Sequence, residues 1–123
     1  MANNHWNEFI RRTKLFYKEM GTVSCPALKG EIIRFNSIGF NHLIRKASRR
    51  TRTEQRSRML LLPEAPKIIA DDKIKAIYRR KYSACMRRVV HYWGLEKQVG
   101  KDRIRVVIRQ IGNGLKHFYS IMK

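Results

Sequence analysis

The sequence predicts an α+β fold in which N-terminal helices pack on a small antiparallel sheet. Apolar side chains recur at helical spacing over residues 4–20, which is typical of a helix with one buried face. Residues 103–109 instead alternate between arginines and aliphatic side chains, which is typical of a half-buried strand. Glycines near residues 100 and 112–114 predict short turns on either side of that strand. The chain has 123 residues, which is room for a single domain, residues 1–123, around one core.

The first predicted helix is expected to cover the sheet. Asn3 or Asn4 can cap its start, and Gly21 can end it, because glycine readily adopts the left-handed conformation found after a helix. Its apolar face consists of Trp6, Phe9, Ile10, Thr13, Phe16, Tyr17 and Met20.

An early strand and a second helix are predicted next. Residues 25–30 contain proline and glycine and are predicted to form a loop, whereas residues 31–35 are rich in β-branched and aromatic side chains and predict a strand. Asn36 or Ser37 can cap a helix that carries His42.

The middle of the chain is expected to be helical and interrupted by proline. A helix begins near Thr53 and ends before Pro63, and Pro63 and Pro66 are expected to break the chain. A short helical piece is expected at residues 67–70. Residues 73–85 fit a helix or a strand equally well.

The C-terminal third is predicted to form a three-strand antiparallel meander. On the middle strand the aliphatic side chains and the arginines are expected to point to opposite faces. On the last strand, alternation places His117 and Tyr119 on one face and Ser120 on the other, unless a β-bulge intervenes. The predicted strands are residues 86–98, 103–109 and 115–122.

The charge of the chain predicts a polyanionic partner. Lysine and arginine number 28 against 9 acidic residues, for a formal charge of +19 and a pI near 10.9. Nucleic acid is the first candidate, anionic membrane the second and an acidic inhibitory protein the third; solubility alone is the remaining alternative. No secretory signal and no apolar run of about 20 residues is present, so a cytoplasmic protein without a membrane partner is expected. The two cysteines are expected to be free thiols rather than a disulfide.

No metal site or cofactor is predicted. The acidic residues are scattered, with Asp71 and Asp72 as the one adjacent pair, and the four histidines and two cysteines lack the spacing of a zinc site. No phosphate-binding P-loop motif is present. RNA offers chemistry that needs no metal, because its 2′-hydroxyl is an internal nucleophile. Histidine can then move protons, and arginine can stabilise the charge on phosphate.

Several residues are candidates for that chemistry. His42 and His117 are candidate proton-transfer groups, although each also fits a capping or packing role. Arg105 and Arg109 share a sheet face and can stabilise phosphate charge, although a solvated outer face is the alternative. The candidate RNA-binding residues are Arg45, Arg49, Arg50, Arg52, Arg56, Arg103, Lys116 and Tyr119.

The order of these elements resembles a known family. Three segments carry the resemblance: Gly-Phe-Asn-His-Leu-Ile-Arg-Lys at residues 39–46, Leu-Leu-Pro at 61–63, and a closing pair, Arg-Val-Val-Ile-Arg at 105–109 with His-Phe-Tyr-Ser-Ile at 117–121. It resembles the toxin-type ribonucleases grouped with barnase, EndoU, colicin D and RelE, particularly phage and contact-inhibition members. The resemblance covers about residues 23–122, with residues 1–20 as an added covering helix.

The resemblance implies metal-independent cleavage of tRNA or ribosome-associated RNA on the free face of the sheet. It implies a catalytic role for His42 with Lys46 as a cationic neighbour, phosphate contact by Ser120, and phosphate or transition-state contact by Arg105 and Arg109. It also implies inhibition by an acidic immunity protein or antitoxin. The alternatives are a non-catalytic basic RNA- or ribosome-binding protein and, less favoured, a DNA-binding regulator, for which no helix-turn-helix pair is evident.

Overall fold

The protein has an α+β fold, as predicted. The computed structural model describes the backbone of residues 2–44 and 51–123 and the side chains of residues 5–42 and 51–123. The predicted site residues Arg45, Lys46, Arg49 and Arg50 therefore lie outside the described residues. The helices are α1 (Ala2–Met20), α2 (Ser37–Ile44), α3 (Arg52–Leu61) and α4 (Glu64–Ile69), with a short 3-10 turn at Pro26–Leu28; the strands are β1 (Thr22–Cys25), β2 (Glu31–Arg34), β3 (Ile77–Ser83), β4 (Arg88–Val99), β5 (Asp102–Ile111) and β6 (His117–Met122).

The strands form one six-stranded sheet in the order β1-β2-β6-β5-β4-β3. Strands β3 to β6 are a continuous antiparallel meander, and β1 and β2 are an antiparallel hairpin. The hairpin joins the meander through a parallel contact of β2 with β6, in which Arg34 is the partner of His117. The predicted purely antiparallel sheet is therefore wrong: the sheet is mixed, and the meander has four strands rather than three.

Both strands that were not foreseen lie at the edges of the sheet. β3 occupies part of the segment that fitted a helix or a strand, and β1 contains Cys25, which was assigned to a loop. Six of the seven residues of β3 are exposed. An edge strand with neither face well buried carries no apolar alternation, so the sequence gives little signal for it.

Side-chain and backbone caps set the helix boundaries. The N–H of Gly39 donates to Oδ1 of Asn36 at 3.2 Å, which confirms the predicted cap of α2. α3 begins at Arg52 rather than near Thr53, because Thr51 is its N-cap and Oγ1 of Thr51 accepts the N–H of Glu54 at 3.1 Å. The expectation that Pro66 breaks the chain is wrong. It lies in the first turn of α4, where its missing N–H leaves no helical bond unmade.

The core lies on one face of the sheet. Ile104, Val106 and Ile108 of β5 are buried there, as predicted, and α4 packs over them with Ile68 and Ile69. The remaining buried apolar residues of this core are Tyr17, Cys25, Ile33, Phe35, Phe40, Met59, Leu62, Ala65, Leu95, Phe118 and Ile121.

Tyr17 connects α1 and α2 with the sheet. Its hydroxyl donates to the carbonyl oxygen of Asn36 at 2.7 Å, and its ring lies 5.3 Å from that of Phe40 and 6.1 Å from that of Phe118. Gly39 lies beneath the same contact, and a β carbon there would overlap the carbonyl oxygen of Phe118. α2 can therefore approach β6 at backbone distance, which fixes the position of His42 relative to the last strand.

Candidate nucleic-acid interface

A β-bulge in β6 brings the predicted site residues of that strand to one face. Arg109 is the partner of His117 and Ile108 of Phe118, but Val107 is the partner of Ser120, so Tyr119 is an extra residue. Because partners in a ladder point to the same side, His117 and Ser120 both lie on the face opposite the core, which we call the outer face. Simple alternation had placed them on opposite faces, with a bulge as the stated exception.

Arg109 and His117 form a buried pair on the outer face. Nε of Arg109 donates to Nε2 of His117 at 3.1 Å, and the two residues are 8% and 3% exposed. Because a guanidinium can only donate, Nε2 accepts and the ring proton resides on Nδ1. Burial, and secondarily the charge of Arg109, lower the pKa of His117 to about 4, against the raising effect of a hydrogen bond with the backbone of Leu115.

In this pair, His117 holds the guanidinium of Arg109 in place and does not act as a proton donor. Near neutral pH, His117 is uncharged and its Nε2 lone pair is engaged by Arg109. It therefore has no proton to give on that nitrogen and serves as the acceptor that orients Arg109.

Arg109, Tyr119 and His42 form a layered stack. The guanidinium carbon of Arg109 lies 4.2 Å from the centroid of the Tyr119 ring. The imidazole ring of His42 also stacks on the Tyr119 ring: the two centroids are 4.1 Å apart, and the two planes are inclined by 18°. Tyr92 of β4 meets Tyr119 edge-on at 5.8 Å. A histidine on α2 and an arginine on β5 are thus held against the same tyrosine.

Arg105 lies over a glycine in the centre of the outer face. Glu96 is its partner across β4 and β5, but the guanidinium leans along the strand to Gly94, where a β carbon would lie 3.0 Å from one Nη and 3.1 Å from Nε. Nε of Arg105 is buried and has no hydrogen-bond partner among the described residues. Burying such a donor without an acceptor destabilises a fold, and a bound anion would satisfy it.

α3 reaches the same face beside β6. Nη1 of Arg58 donates to Oγ of Ser120 at 3.1 Å, and Ser120 is 3% exposed. Ser120 is therefore a buried acceptor for an arginine in this structure. The predicted direct phosphate contact by its hydroxyl would require Arg58 to release it or to share it.

The outer face is strongly cationic. Among its described strand residues Glu96 is the one carboxylate, and it accepts a bond from Nε of Arg103 at 3.3 Å. Arg103 is thus neutralised locally, whereas Arg105 and Arg109 form no ion pair with a carboxylate among the described residues. The cations that strand alternation places on this face are Arg34, Arg79, Lys81, Arg88, Arg103, Arg105 and Arg109.

Three predicted RNA-binding residues lie elsewhere. Arg52 and Arg56 of α3 stack over the rings of Trp6 and Phe9 of α1, at 5.1 and 4.5 Å. Lys116 lies on the core side of the sheet, where it pairs with Glu31. These cations are not brought together with Arg105 and Arg109.

Sequence reasoning missed Arg79 and Gly94, and it did not place Tyr92 or Arg58 in this arrangement. Gly94 carried a usable signal, because a glycine inside a strand marks a close approach of another group. Tyr92 and Arg79, whose guanidinium lies 5.6 Å from the Tyr92 ring, required the register of β3 and β4. Nothing in the sequence indicated the long-range bond of Arg58.

The described residues offer neither a metal cluster nor a membrane-spanning helix. No three histidine, cysteine, aspartate or glutamate side chains gather there as a possible metal site. No described helix is both long and apolar enough to cross a bilayer. Cys25 and Cys85 are free thiols, one buried and one exposed.

No known protein family, curated protein or solved structure matches this chain at a significant level.

Proposed function

We propose that this protein binds RNA on its outer face and cleaves it there as a metal-independent endoribonuclease of the toxin type. One observation carries the proposal: Arg105 and Arg109 lie on the same face as the stacked pair of His42 and Tyr119, and neither arginine forms an ion pair with a carboxylate among the described residues. A histidine can accept the proton of the 2′-hydroxyl, and fixed cations can stabilise the charge that develops on the phosphate.

The phosphate is expected to lie against Arg105 and Arg109. Nε of Arg105 is buried against Gly94, so Arg105 is expected to turn its guanidinium toward the phosphate, whereas the guanidinium of Arg109 is already oriented by His117 and Tyr119. Guanidinium groups match the geometry of phosphate oxygens and stabilise the extra charge of the pentavalent transition state. The aromatic surface of Tyr92 is available to a neighbouring base.

His42 is the proposed proton acceptor. The 2′-oxygen attacks the adjacent phosphorus and gives its proton to the imidazole of His42, while the bond from phosphorus to the 5′-oxygen breaks. The leaving 5′-oxygen takes a proton from water. The products are a 2′,3′-cyclic phosphate and a 5′-hydroxyl. His117, a catalytic candidate in the sequence, is reassigned as a positioning residue for Arg109, because its accessible lone pair is already used.

The decisive test is cleavage in the presence of EDTA. Purified protein, freed of inhibitor, is incubated with tRNA and with total RNA, and the product ends are analysed. We expect 2′,3′-cyclic phosphate ends, and we expect His42→Ala to slow cleavage about 100-fold or more. Arg56→Ala is the matched control, because it removes a cation that stacks on Phe9 away from the outer face, and it should leave the rate unchanged. Intact RNA at high concentrations of folded protein would contradict the proposal.

A specific observation favours a second candidate, a non-catalytic RNA- or ribosome-binding protein. His117, which contacts Arg109 directly, is neutral and occupied, so the arginines have no proton donor in contact with them on β6. This candidate predicts RNA affinity that falls steeply with salt. It also predicts that Arg105→Glu abolishes the biological effect while His42→Ala leaves it intact, whereas the ribonuclease proposal requires both substitutions to abolish it.

An acidic immunity protein or antitoxin is the proposed protein partner. A carboxylate-rich surface would complement the cations of the outer face and would compete with RNA for them. Toxicity on expression that is relieved by His42→Ala would support both the enzyme and the need for such an inhibitor.

A further inference from the structure

A second aromatic surface lies on the core side of the sheet, at the β3 edge beyond the helices. It consists of Tyr78, His91 and Trp93, which we call the aromatic platform. The ring centroids are 5.7 Å apart for Tyr78 and His91, 5.4 Å for Tyr78 and Trp93, and 6.0 Å for His91 and Trp93, with planes inclined by 22°, 41° and 27°. Tyr78 is 50% exposed, and the other two rings are half-buried.

The platform is held in place by the strand ladder. Tyr78 is the cross-strand partner of Trp93, and its hydroxyl is 2.5 Å from Nδ1 of His91. These contacts join the exposed edge strand β3 to the inner strand β4. The rings are thus ordered before any ligand arrives, which reduces the entropy cost of binding.

Cations flank the platform on two sides. Nζ of Lys116, which also pairs with Glu31, lies 5.0 Å from the centroid of Trp93. On the other side, Arg80, Arg88 and His91 line an open cavity of about 590 Å³ against the glycine-rich turn at residues 112–114, and no carboxylate is among its lining residues. Aromatic rings that are partly open to solvent and lie between positive side chains can bind unpaired nucleotides, with bases on the rings and phosphates at the cations.

We propose that the aromatic platform binds an unpaired stretch of RNA, so that the substrate class of this protein is RNA with a single-stranded segment. This inference rests on the proposed function and adds a second contact on the opposite side of the sheet. A duplex hides the faces of its bases, so stacking on Tyr78 and Trp93 selects unpaired bases. The cation-lined cavity beside Arg80 then accepts the phosphate of the stacked nucleotide or of its neighbour.

Binding of a single-stranded oligouridine to the full-length chain tests the proposal. We expect Tyr78→Ala to weaken that binding by about 5- to 150-fold, the range for losing one stacked base. Tyr82→Ala is the matched control, because Tyr82 lies on the same strand, is 60% exposed and is not part of the platform; it should leave affinity unchanged. Tyr78→Phe keeps the ring and should retain most of the affinity, which separates stacking from loss of the bond to His91.

Tryptophan fluorescence gives a second measurement that does not depend on folding of the alanine variant. In a Trp6→Phe chain, Trp93 is the remaining tryptophan, and saturating oligouridine is expected to quench it. Oligouridine that binds without quenching Trp93 and with unchanged affinity for the Tyr78→Ala chain would overturn the platform while leaving the outer face standing. No binding of any RNA would instead overturn the proposed function itself.

Two further measurements test whether the aromatic platform binds a duplex or an acidic protein instead. A blunt RNA duplex should bind the Tyr78→Ala and wild-type chains equally, and an equal loss for duplex and single strand would contradict base stacking. Polyglutamate, a probe for an acidic protein partner, should not quench Trp93. Quenching as strong as that by oligouridine would assign the platform to acidic protein rather than RNA.

Discussion

The arginines of the helical layer and those of the outer face carry the same charge in very different surroundings. On α3, Arg56 is exposed and stacks 4.5 Å over Phe9. On β5, Arg109 is 8% exposed, bonded to His117 at 3.1 Å and stacked 4.2 Å over Tyr119. A net charge of +19 thus indicates the class of partner, while the surroundings indicate which cations are fixed in position for it.

The outer face holds its arginines at a cost to stability. Burying a cation without a carboxylate partner is unfavourable, and the unpaired Nε of Arg105 adds to that cost. Arg52 and Arg56 of α3 carry no comparable penalty, because they remain in solvent over an aromatic ring. A local loss of stability of this kind is typical of a functional site, because a bound anion would offset the cost of burying the arginines.

Removing the guanidinium of Arg109 should have the largest effect on RNA cleavage. We expect Arg109→Ala to lower the rate by about 10²- to 10³-fold, because a preorganised donor to the transition state is lost. Arg109→Lys should not restore the rate, since an ammonium cannot both bond to His117 and stack flat on Tyr119. The rate is measured on the tRNA that wild-type protein cleaves.

Arg56→Ala is the control for that prediction, because it removes the same charge from the helical layer. Equal losses of rate in the Arg109 and Arg56 variants, with both chains folded by circular dichroism, would show that total charge matters rather than position. The distinction between the two regions would then be wrong.

Stability is expected to depend on pH through His117. Its pKa of about 4 in the folded chain lies below the ordinary value of 6.5, so the unfolded chain takes up a proton over this interval that the folded chain does not. The free energy of unfolding should therefore fall by about 2–3 kcal/mol as the pH decreases from 6.5 to 4, and the contribution is fully present above pH 6.5. Urea unfolding at pH 7.5 and pH 4.5 measures it.

His117→Gln isolates this effect, because carboxylates that titrate in the same range are common to both chains. The variant keeps an acceptor for Arg109 and should lose the extra destabilisation at low pH. If wild type and variant lost the same free energy between the two pH values, His117 would not be the buried neutral partner of Arg109.

The sequence predicted the parts of the fold that have one buried face. The apolar side of β5 and the aromatic face around Tyr17 were both identified, because each presents a clear period to a single core. The edge strands β1 and β3 were not. β1 has four residues, which are too few to establish its alternation of exposed and buried side chains, and the side chains of β3 are largely exposed. The parallel contact of Arg34 with His117 depends on how the hairpin docks, which local pattern does not encode.

The site was predicted as a list of residue types rather than as an arrangement. Arg105 and Arg109 were assigned to one face by alternation, and the structure has them there. The extra residue Tyr119 has no sequence signature, yet it brings Ser120 to the outer face and provides the ring on which His42 stacks. Such a bulge depends on how β5, β6 and α2 pack together, so the sequence could indicate it only as a possible exception to strand alternation.

The smallest expected effect concerns Gly94, which lies against the guanidinium of Arg105 on the outer face. Gly94→Ala places a methyl group 3.0 Å from the guanidinium of Arg105, which must then shift by a few tenths of an ångström. We expect roughly tenfold slower cleavage, because small displacements of a positioned cation are costly to catalysis. The fold should tolerate the change, since Gly94 has no positive φ angle and its close neighbour is the end of a flexible side chain.

A double-mutant cycle with Arg105→Ala decides the mechanism. In the Arg105→Ala chain, Gly94→Ala should cost nothing further, and an undiminished tenfold loss there would mean that Gly94 acts on the RNA directly rather than through Arg105.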